Sequence, residues 1–398
     1  MPTAPVLCCI VAQPVPMPQT LSTSLVAVLA RRAGFTIAGI APTPAEHSPE
    51  DRAQRVRFEQ WIASGAAGEM EYLKRRNDHG ELLRASLHSV FPWARSAIVC
   101  GADYSSAEPR SIDPAPAGTG WIARYAQTEL LDEHGSSARP SDYHKVLLKR
   151  LHSLDSMLKE QLGDFESRCY VDTGPLVERV CARLAGIGWT GKNTCILNQQ
   201  LGSWLFLGVI LTSKPPEPES LPQLAADRCG SCTRCIDACP TQALTPYQMD
   251  ASRCISYLTI EKRGPIPEDL RSPIGRQVFG CDICQDVCPW NNRARSLSTK
   301  SKDPELAPRA PLINPALDWL AAMSEQDFGQ WFFGSPVKRA KFTGFRRNLA
   351  IAMGNSGLAR FLPRLRNWAA SDDPVLSESA HWAIRKLAAQ HTHTSPPE

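Results

Sequence analysis

The chain has 398 residues, 44 Lys+Arg against 40 Asp+Glu, and 14 cysteines. An apolar fraction of 43% with 21% charge excludes a disordered or fibrous chain, and the length suits two or three domains at roughly 150 residues each. A net charge of +4 announces no nucleic-acid binder, and no apolar run is long enough to span a membrane. Fourteen cysteines are too sparse for a small disulfide scaffold, so their spacing must decide their use.

Residues 1–20 carry five prolines and read as a flexible N-terminal extension without the basic start of a secretory signal. A cytoplasmic protein is expected, in which thiols stay reduced and clustered cysteines mean metal. Leu25, Val28 and Leu29 mark a helix face that Gly34 ends, and 35–40 reads as a strand. A charged stretch over 50–76 reads as helical, and 96–100 as a buried strand. Leu147, Leu151, Leu154 and Leu158 give an amphipathic helix over 143–162. A strand ending at Asp172, a helix over 176–185 and an apolar strand over 204–211 complete the pattern. Alternating strands and helices predict an α/β or α+β domain over 21–213. A proline-rich linker follows at 214–222, then a cysteine-rich unit over 225–293. Residues 311–390 predict an all-α module of short repeated helices, ahead of a tail at 391–398.

Cys229-x2-Cys232-x2-Cys235-x3-Cys239-Pro240 has the spacing of the bacterial ferredoxin run. Cys281-x2-Cys284-x3-Cys288-Pro289 repeats its ending with one cysteine missing, and Cys254 between them supplies an eighth ligand. Eight thiolates serve two [4Fe–4S] clusters, and in two-cluster ferredoxins the fourth cysteine of a run crosses to the other cluster. The expected sets are therefore Cys229, Cys232, Cys235 and Cys288, and Cys239, Cys254, Cys281 and Cys284. Zinc competes, but three cysteines at two-residue gaps before x3-Cys-Pro are unusual for it. The other six cysteines (8, 9, 100, 169, 181, 195) share no spacing, and Cys100 and Cys181 are expected in the core.

Gly186-x-Gly188-x-x-Gly191 imitates a dinucleotide fingerprint, but the segment before it has helical rather than strand spacing. Gly186 is better read as a helix-ending left-handed cap. Asp172 ends a strand ahead of Thr173-Gly174-Pro175, where a ligand-binding carboxylate or an ordinary turn or helix cap would both fit. Glu178 and Arg179 on the following helix are expected to make surface ion pairs. Between Asp327 and Asp372 there is no acidic residue but eight basic ones: Lys338, Arg339, Lys341, Arg346, Arg347, Arg360, Arg364 and Arg366. One-sign clustering with interleaved aromatics, and with Asn348 and Asn355 nearby, predicts contact with RNA or DNA phosphates.

With these pieces in hand, the chain resembles the epoxyqueuosine reductases, iron–sulfur and cobalamin enzymes of tRNA queuosine synthesis. The resemblance rests on Tyr170-Val-Asp-Thr-Gly-Pro175, Gly186-Ile-Gly-Trp-Thr-Gly-Lys-Asn-Thr194, Gly202-Ser-Trp-Leu-Phe-Leu-Gly208 and Phe279-Gly-Cys-Asp-Ile-Cys-Gln-Asp-Val-Cys-Pro-Trp-Asn291. It runs from about Leu21 to Gln390, and 346–355 looks like the family's HEAT-like repeat. It implies a cobalamin on the N-terminal domain, two [4Fe–4S] clusters fed by an external electron donor, and reduction of epoxyqueuosine in the tRNA anticodon arm. Asp172 falls on the family's catalytic acid, and its pKa is expected to be raised by an apolar lid or the corrin face. Tyr104, Lys192, Asn193 and Ser203 fall on segments of the cofactor pocket, and Lys338, Arg339, Lys341, Arg346 and Arg347 on the tRNA-binding module. No corrinoid signature of the Asp-x-His-x-x-Gly type is present. A monomer without membrane association is expected. Alternatives are a cobalamin reductive dehalogenase of a small molecule and a non-enzymatic iron–sulfur, RNA-binding module. Two departures from the family pattern stand out. Residues 1–16 lie outside the resemblance, making Met17 a second candidate start. Gln127 to Ser141 is an apparent insertion, read as a surface loop ahead of the alternative, a cover over the substrate entrance.

Overall fold

The computed structural model describes residues 20–131, 137–292 and 303–392. The N-terminal extension, the tail beyond Thr392, Cys8, Cys9 and the centre of the 127–141 insertion lie outside them.

A four-stranded sheet organises the first domain, in the order Ile37–Pro42, Ser96–Asp103, Leu205–Thr212, Ser167–Tyr170. The 205–212 strand is apolar almost throughout because both of its faces are covered. Leu147, Leu151, Leu154 and Leu158 of the Tyr143–Leu162 helix are fully buried on one side, beside Ile98 and Ile210. Cys181 and Ala182 of the Glu178–Leu184 helix pack on the other, against Val99, Val209 and Leu211. Every pairing in this sheet is antiparallel. The domain is therefore α+β. Element order suggests alternation, but it carries no information on strand direction.

Gly186 has φ +71 and ends the 178–184 helix, as its spacing predicts. At Gly188 a Cβ would meet the Leu197 carbonyl oxygen at 2.1 Å, which only glycine avoids. The dinucleotide-like glycines thus shape a turn against backbone. The described flanks of the insertion are strands, Thr128–Leu131 pairing antiparallel with Ser137–Pro140 and with Ala307–Pro308.

The cysteine-rich unit and the C-terminal helices share one core. Ile255, Leu258 and Phe279 pack with Phe345, Leu349 and Leu365. The helix Lys341–Asn355 is buried on nearly every side from Phe345 to Gly354, between this unit and the Pro374–Thr392 helix. Among the described residues no helix is long and apolar enough to cross a membrane.

Candidate active site

The first turn of the 143–162 helix sets one wall of a cleft. Asp142 is its N-cap, and the same carboxylate oxygen takes the His144 backbone N–H at 3.0 Å and lies 2.7 Å from His144 Nδ1. The imidazole is thereby fixed with Nε2 turned toward Asp172. Tyr143 packs its ring flat on Phe206, with centroids 4.3 Å apart, and Phe206 in turn stacks on Tyr104 at 4.1 Å.

Asp172 comes to this wall from the far edge of the sheet, just past the 167–170 strand. Its backbone has φ +56, a left-handed conformation that aspartate tolerates better than most side chains. It caps no helix, because Val177 is the N-cap of the helix that follows. Instead its Oδ2 accepts the Tyr143 hydroxyl at 3.0 Å and stands 3.7 Å from His144 Nε2. The carboxyl remains open to the cleft while protein surrounds it. That burial pushes its pKa up, but the His144 interaction and the Tyr143 hydrogen bond outweigh it, and the group ends below its ordinary value. The expectation of a raised pKa is thus corrected: burial is the largest single influence on Asp172, but His144, Tyr143 and Arg179 together outweigh it. For His144, burial works against the charged form, but bonds to Asp142 and Asp172 prevail and push it up to about 9. At neutral pH the cluster is imidazolium between two carboxylates.

Asp172, Tyr143, Tyr104, Ser203, Asn193 and Glu178 line a cleft of about 410 Å³. Its other wall contains Cys239, Cys254, Cys281 and Cys284. A second cavity of about 50 Å³ is bordered by Cys229, Cys232, Cys235 and Cys288. The two cavities divide the eight cysteines along the lines that ferredoxin ligation predicts. The backbone delivers these sulfurs symmetrically, since each cysteine run leads into a four-residue helix, Arg234–Asp237 and Ile283–Asp286. Among the described residues no three His, Cys, Asp or Glu side chains form a single-ion cage.

The remaining expected site residues divide. Tyr104, Asn193 and Ser203 reach the cleft, Ser203 being held by Gln285 and Asn291. Lys192 does not reach it: its ammonium donates to the carbonyls of Gly230 at 2.7 Å and Cys232 at 3.0 Å, bracing the first cysteine loop. Cys195, which has no place in either cysteine run, lines the cleft, while Cys100 and Cys181 are core residues.

Sequence reasoning misses three groups. Tyr143 and His144 are found only through the fold that returns Asp172 to them. Glu178, expected in a surface pair, turns a carboxyl oxygen into a buried position without a hydrogen-bond partner among the described residues. Asp282 and Asp286, inside the second cysteine run, are buried. Asp282 accepts from Trp121 Nε1 and the Arg124 backbone, and Asp286 from Ser111, pinning the 106–124 segment to the cysteine unit.

The basic module needs a correction. Arg347 is fully buried and donates to the carbonyls of Leu258, Lys262 and Gly264, so it is a structural staple and meets no phosphate. Asn348 and Asn355 likewise bond to backbone carbonyls of the neighbouring unit. Arg339 pairs with Glu261, Arg360 with Asp318, and Arg346 lies over Phe342 and Trp368. Lys338 and Lys341 are exposed.

Two cavities each bordered by four cysteines, one of them a cleft that also contains Asp172, are the arrangement of an iron–sulfur protein. The family model described as "4Fe-4S double cluster binding domain" matches residues 228–291, and "Epoxyqueuosine reductase QueG, DUF1730" matches 84–173. The chain is 36% identical over 386 residues to an epoxyqueuosine reductase of Xanthomonas campestris, covering 96% of this chain and 99% of that one. A crystal structure of an epoxyqueuosine reductase with an epoxyqueuosine-modified tRNA stem loop superposes with a TM-score of 0.74 at 26% identity, covering 94% of each chain. The Bacillus subtilis enzyme, seen with an aspartate-bearing catalytic loop swung out of its active site, gives 0.71 at 26% identity, covering 94% and 95%. The chain belongs to the epoxyqueuosine reductase family and is an oxidoreductase.

Proposed function

We propose that the chain reduces the epoxide of epoxyqueuosine in tRNA to the alkene of queuosine, in the cytoplasm and as a monomer. The observation that carries this reading is one cleft lined by Asp172 and Tyr143, with His144 beside Asp172, and by the four cysteines Cys239, Cys254, Cys281 and Cys284. Removing an epoxide oxygen breaks two carbon–oxygen bonds, forms a carbon–carbon double bond, and consumes two electrons and two protons to release water. Electrons would enter from an external donor through two [4Fe–4S] clusters on the assigned cysteines.

The residues present fit a corrinoid. The stacked rings of Tyr104, Phe206 and Tyr143 give the cleft an aromatic flank, while Asn193, Ser203 and the orphaned Glu178 oxygen give it polar positions. Cobalamin bound there supplies a strongly reducing, nucleophilic metal centre. The chain's own part is proton supply and orientation. His144 holds a proton beside Asp172, whose carboxylate takes it and passes it to the departing oxygen, and the Tyr143 hydroxyl fixes that carboxylate. Asp172 is then the proton donor to the substrate with His144 as its reservoir.

The C-terminal helices would act as the HEAT-like tRNA module, with Lys338 and Lys341 meeting phosphates and Arg339 and Arg346 available once their present partners yield. That the relative spans this module as well as the clusters favours an RNA-borne substrate over a small-molecule dehalogenase. Anaerobically purified protein should hold about eight irons per chain, bind one corrinoid and convert epoxyqueuosine tRNA to queuosine tRNA. Clusters and corrinoid in place without that conversion would overturn the reading.

A further inference from the structure

We propose that Glu178 is a second acid of this cleft and carries one of the two protons that leave with the epoxide oxygen as water. The inference rests on the function proposed above and deepens it.

Glu178 opens the 178–184 helix, six residues beyond Asp172, and lines the same cleft. Its Oε1 is buried and accepts no hydrogen bond among the described residues. An ionised carboxylate there would forfeit solvation at Oε1, with only its own backbone N–H and the charges of Arg84 and Arg179 in its favour, whereas a protonated one can offer its hydrogen to the cleft. The charged and titratable groups facing it are few. Asp172 repels its negative charge from the turn after the 167–170 strand. Arg84, from the segment before the Leu87–Val90 helix, directs Nη1 to the Leu176 carbonyl at 3.1 Å. Arg179, on its own helix, is committed to the Thr194 carbonyl at 2.9 Å and hydroxyl at 3.2 Å. Cys181 stands a turn further along the helix, buried and with its own pKa raised by that burial. Burial is the largest influence on Glu178; its own backbone N–H and the charges of Arg84 and Arg179 oppose it, the Asp172 charge adds to it, and the balance pushes the carboxyl up to about 7.

The proton arithmetic then closes. Both carbon–oxygen bonds of the epoxide break and a carbon–carbon double bond forms, while two electrons arrive from the external one-electron donor. The oxygen leaves with one proton delivered through Asp172 from His144 and one from Glu178. Two neighbouring carboxyls with opposed pKa shifts supply two separate protons, where a single ionised aspartate supplies at most one relayed proton.

Glu178→Gln and Glu178→Asp test this. With a modified tRNA stem loop under anaerobic turnover, kcat of E178Q should fall about 10²-fold with KM unchanged. The loss of wild-type activity as pH rises through about 7 should disappear in E178Q, leaving only the limb near 9 set by His144, while E178D keeps a limb of its own. Independently of turnover, the wild-type minus E178Q infrared difference spectrum, which cancels the buried Asp282 and Asp286 carboxyls common to both, should show a protonated-carboxyl band that fades between about pH 6 and about pH 8. Wild-type kcat and pH profile in E178Q, or a band unaltered by the substitution, would overturn the proposal. Should the wild-type protein itself fail to convert the stem loop, the function above falls, and the infrared band still decides whether Glu178 holds a proton.

Discussion

The Tyr143 hydroxyl and the Asp172 carboxylate meet at 3.0 Å, joining the first turn of a helix to the end of an edge strand 29 positions later. His144 stands behind the same oxygen at 3.7 Å. A carboxylate held by a hydroxyl and an imidazolium is an efficient acceptor and relay, and a poor reservoir on its own. Replacing Asp172 by Ala should therefore cut turnover about 10²–10⁴-fold while the iron content and cluster absorbance stay unchanged. Full turnover in that variant with cofactors intact would remove Asp172 from the reaction.

His144→Gln separates the reservoir from the relay. Without the imidazolium, Asp172 loses its strongest restraint and its pKa should climb, so the acid limb of the pH–rate profile moves upward. Stability carries the matching signature. His144 rises from 6.5 to about 9 on folding, so its pairing stabilises the native state fully below about 6.5. That contribution is lost as pH rises through about 9. Urea unfolding should show wild type more stable than H144Q at pH 6, with the gap closing above pH 9. A gap independent of pH would mean that His144 is neutral in the folded protein.

What is legible in the sequence is what local spacing determines. Thiolates two and three residues apart must ligate something, so all eight cluster cysteines can be read directly, as can the Gly186 helix end. Asp172 can be picked out from its place in a recurring segment, though not its protonation state, which depends on a histidine 28 positions earlier in the chain. Glu178 escapes a sequence reading for a related reason. Its burial comes from the cleft and not from helical periodicity, and nothing adjacent in the sequence marks it. Arg347 shows the converse error. A run of like charges predicts a solvated basic face, yet the 341–355 helix is enclosed on nearly every side, and one of its arginines is used to saturate carbonyls.

That enclosure yields a contrast between neighbouring basic residues. Arg347→Met should leave the carbonyls of Leu258, Lys262 and Gly264 without their donor, at a cost of about 3 kcal/mol or more. RNA binding by the fraction that remains folded should be unaltered. Lys338→Glu with Lys341→Glu should change stability by only about 0.5 kcal/mol or less, since both side chains are exposed. This pair should instead weaken tRNA binding and flatten its salt dependence, by about one unit of slope for each phosphate left without its lysine. Unfolding curves and salt-dependent binding isotherms distinguish the two. Equal weakening of binding in both variants at matched folded concentration would place Arg347 on the RNA after all.

The division of the cysteines between two cavities follows the crossed sets that ferredoxin spacing predicts, and it can be tested. Cys288 closes the second run, yet it borders the cavity of Cys229, Cys232 and Cys235, while Cys239 from the first run joins Cys254, Cys281 and Cys284 at the cleft. Serine in place of either Cys229 or Cys288 should therefore remove the same cluster, leaving about four irons and one electron paramagnetic resonance signal common to both variants. Cys254→Ser should remove the other cluster and leave the complementary signal. Because that quartet shares its cavity with Asp172, C254S should also abolish turnover even when electrons are supplied in excess. C229S and C288S place the loss at the outer cavity, so a strong chemical reductant able to reach the inner cluster directly should restore part of their activity. If the C288S spectrum instead matched that of Cys281→Ser, each cysteine run would be holding its own cluster, and the crossed assignment would be wrong.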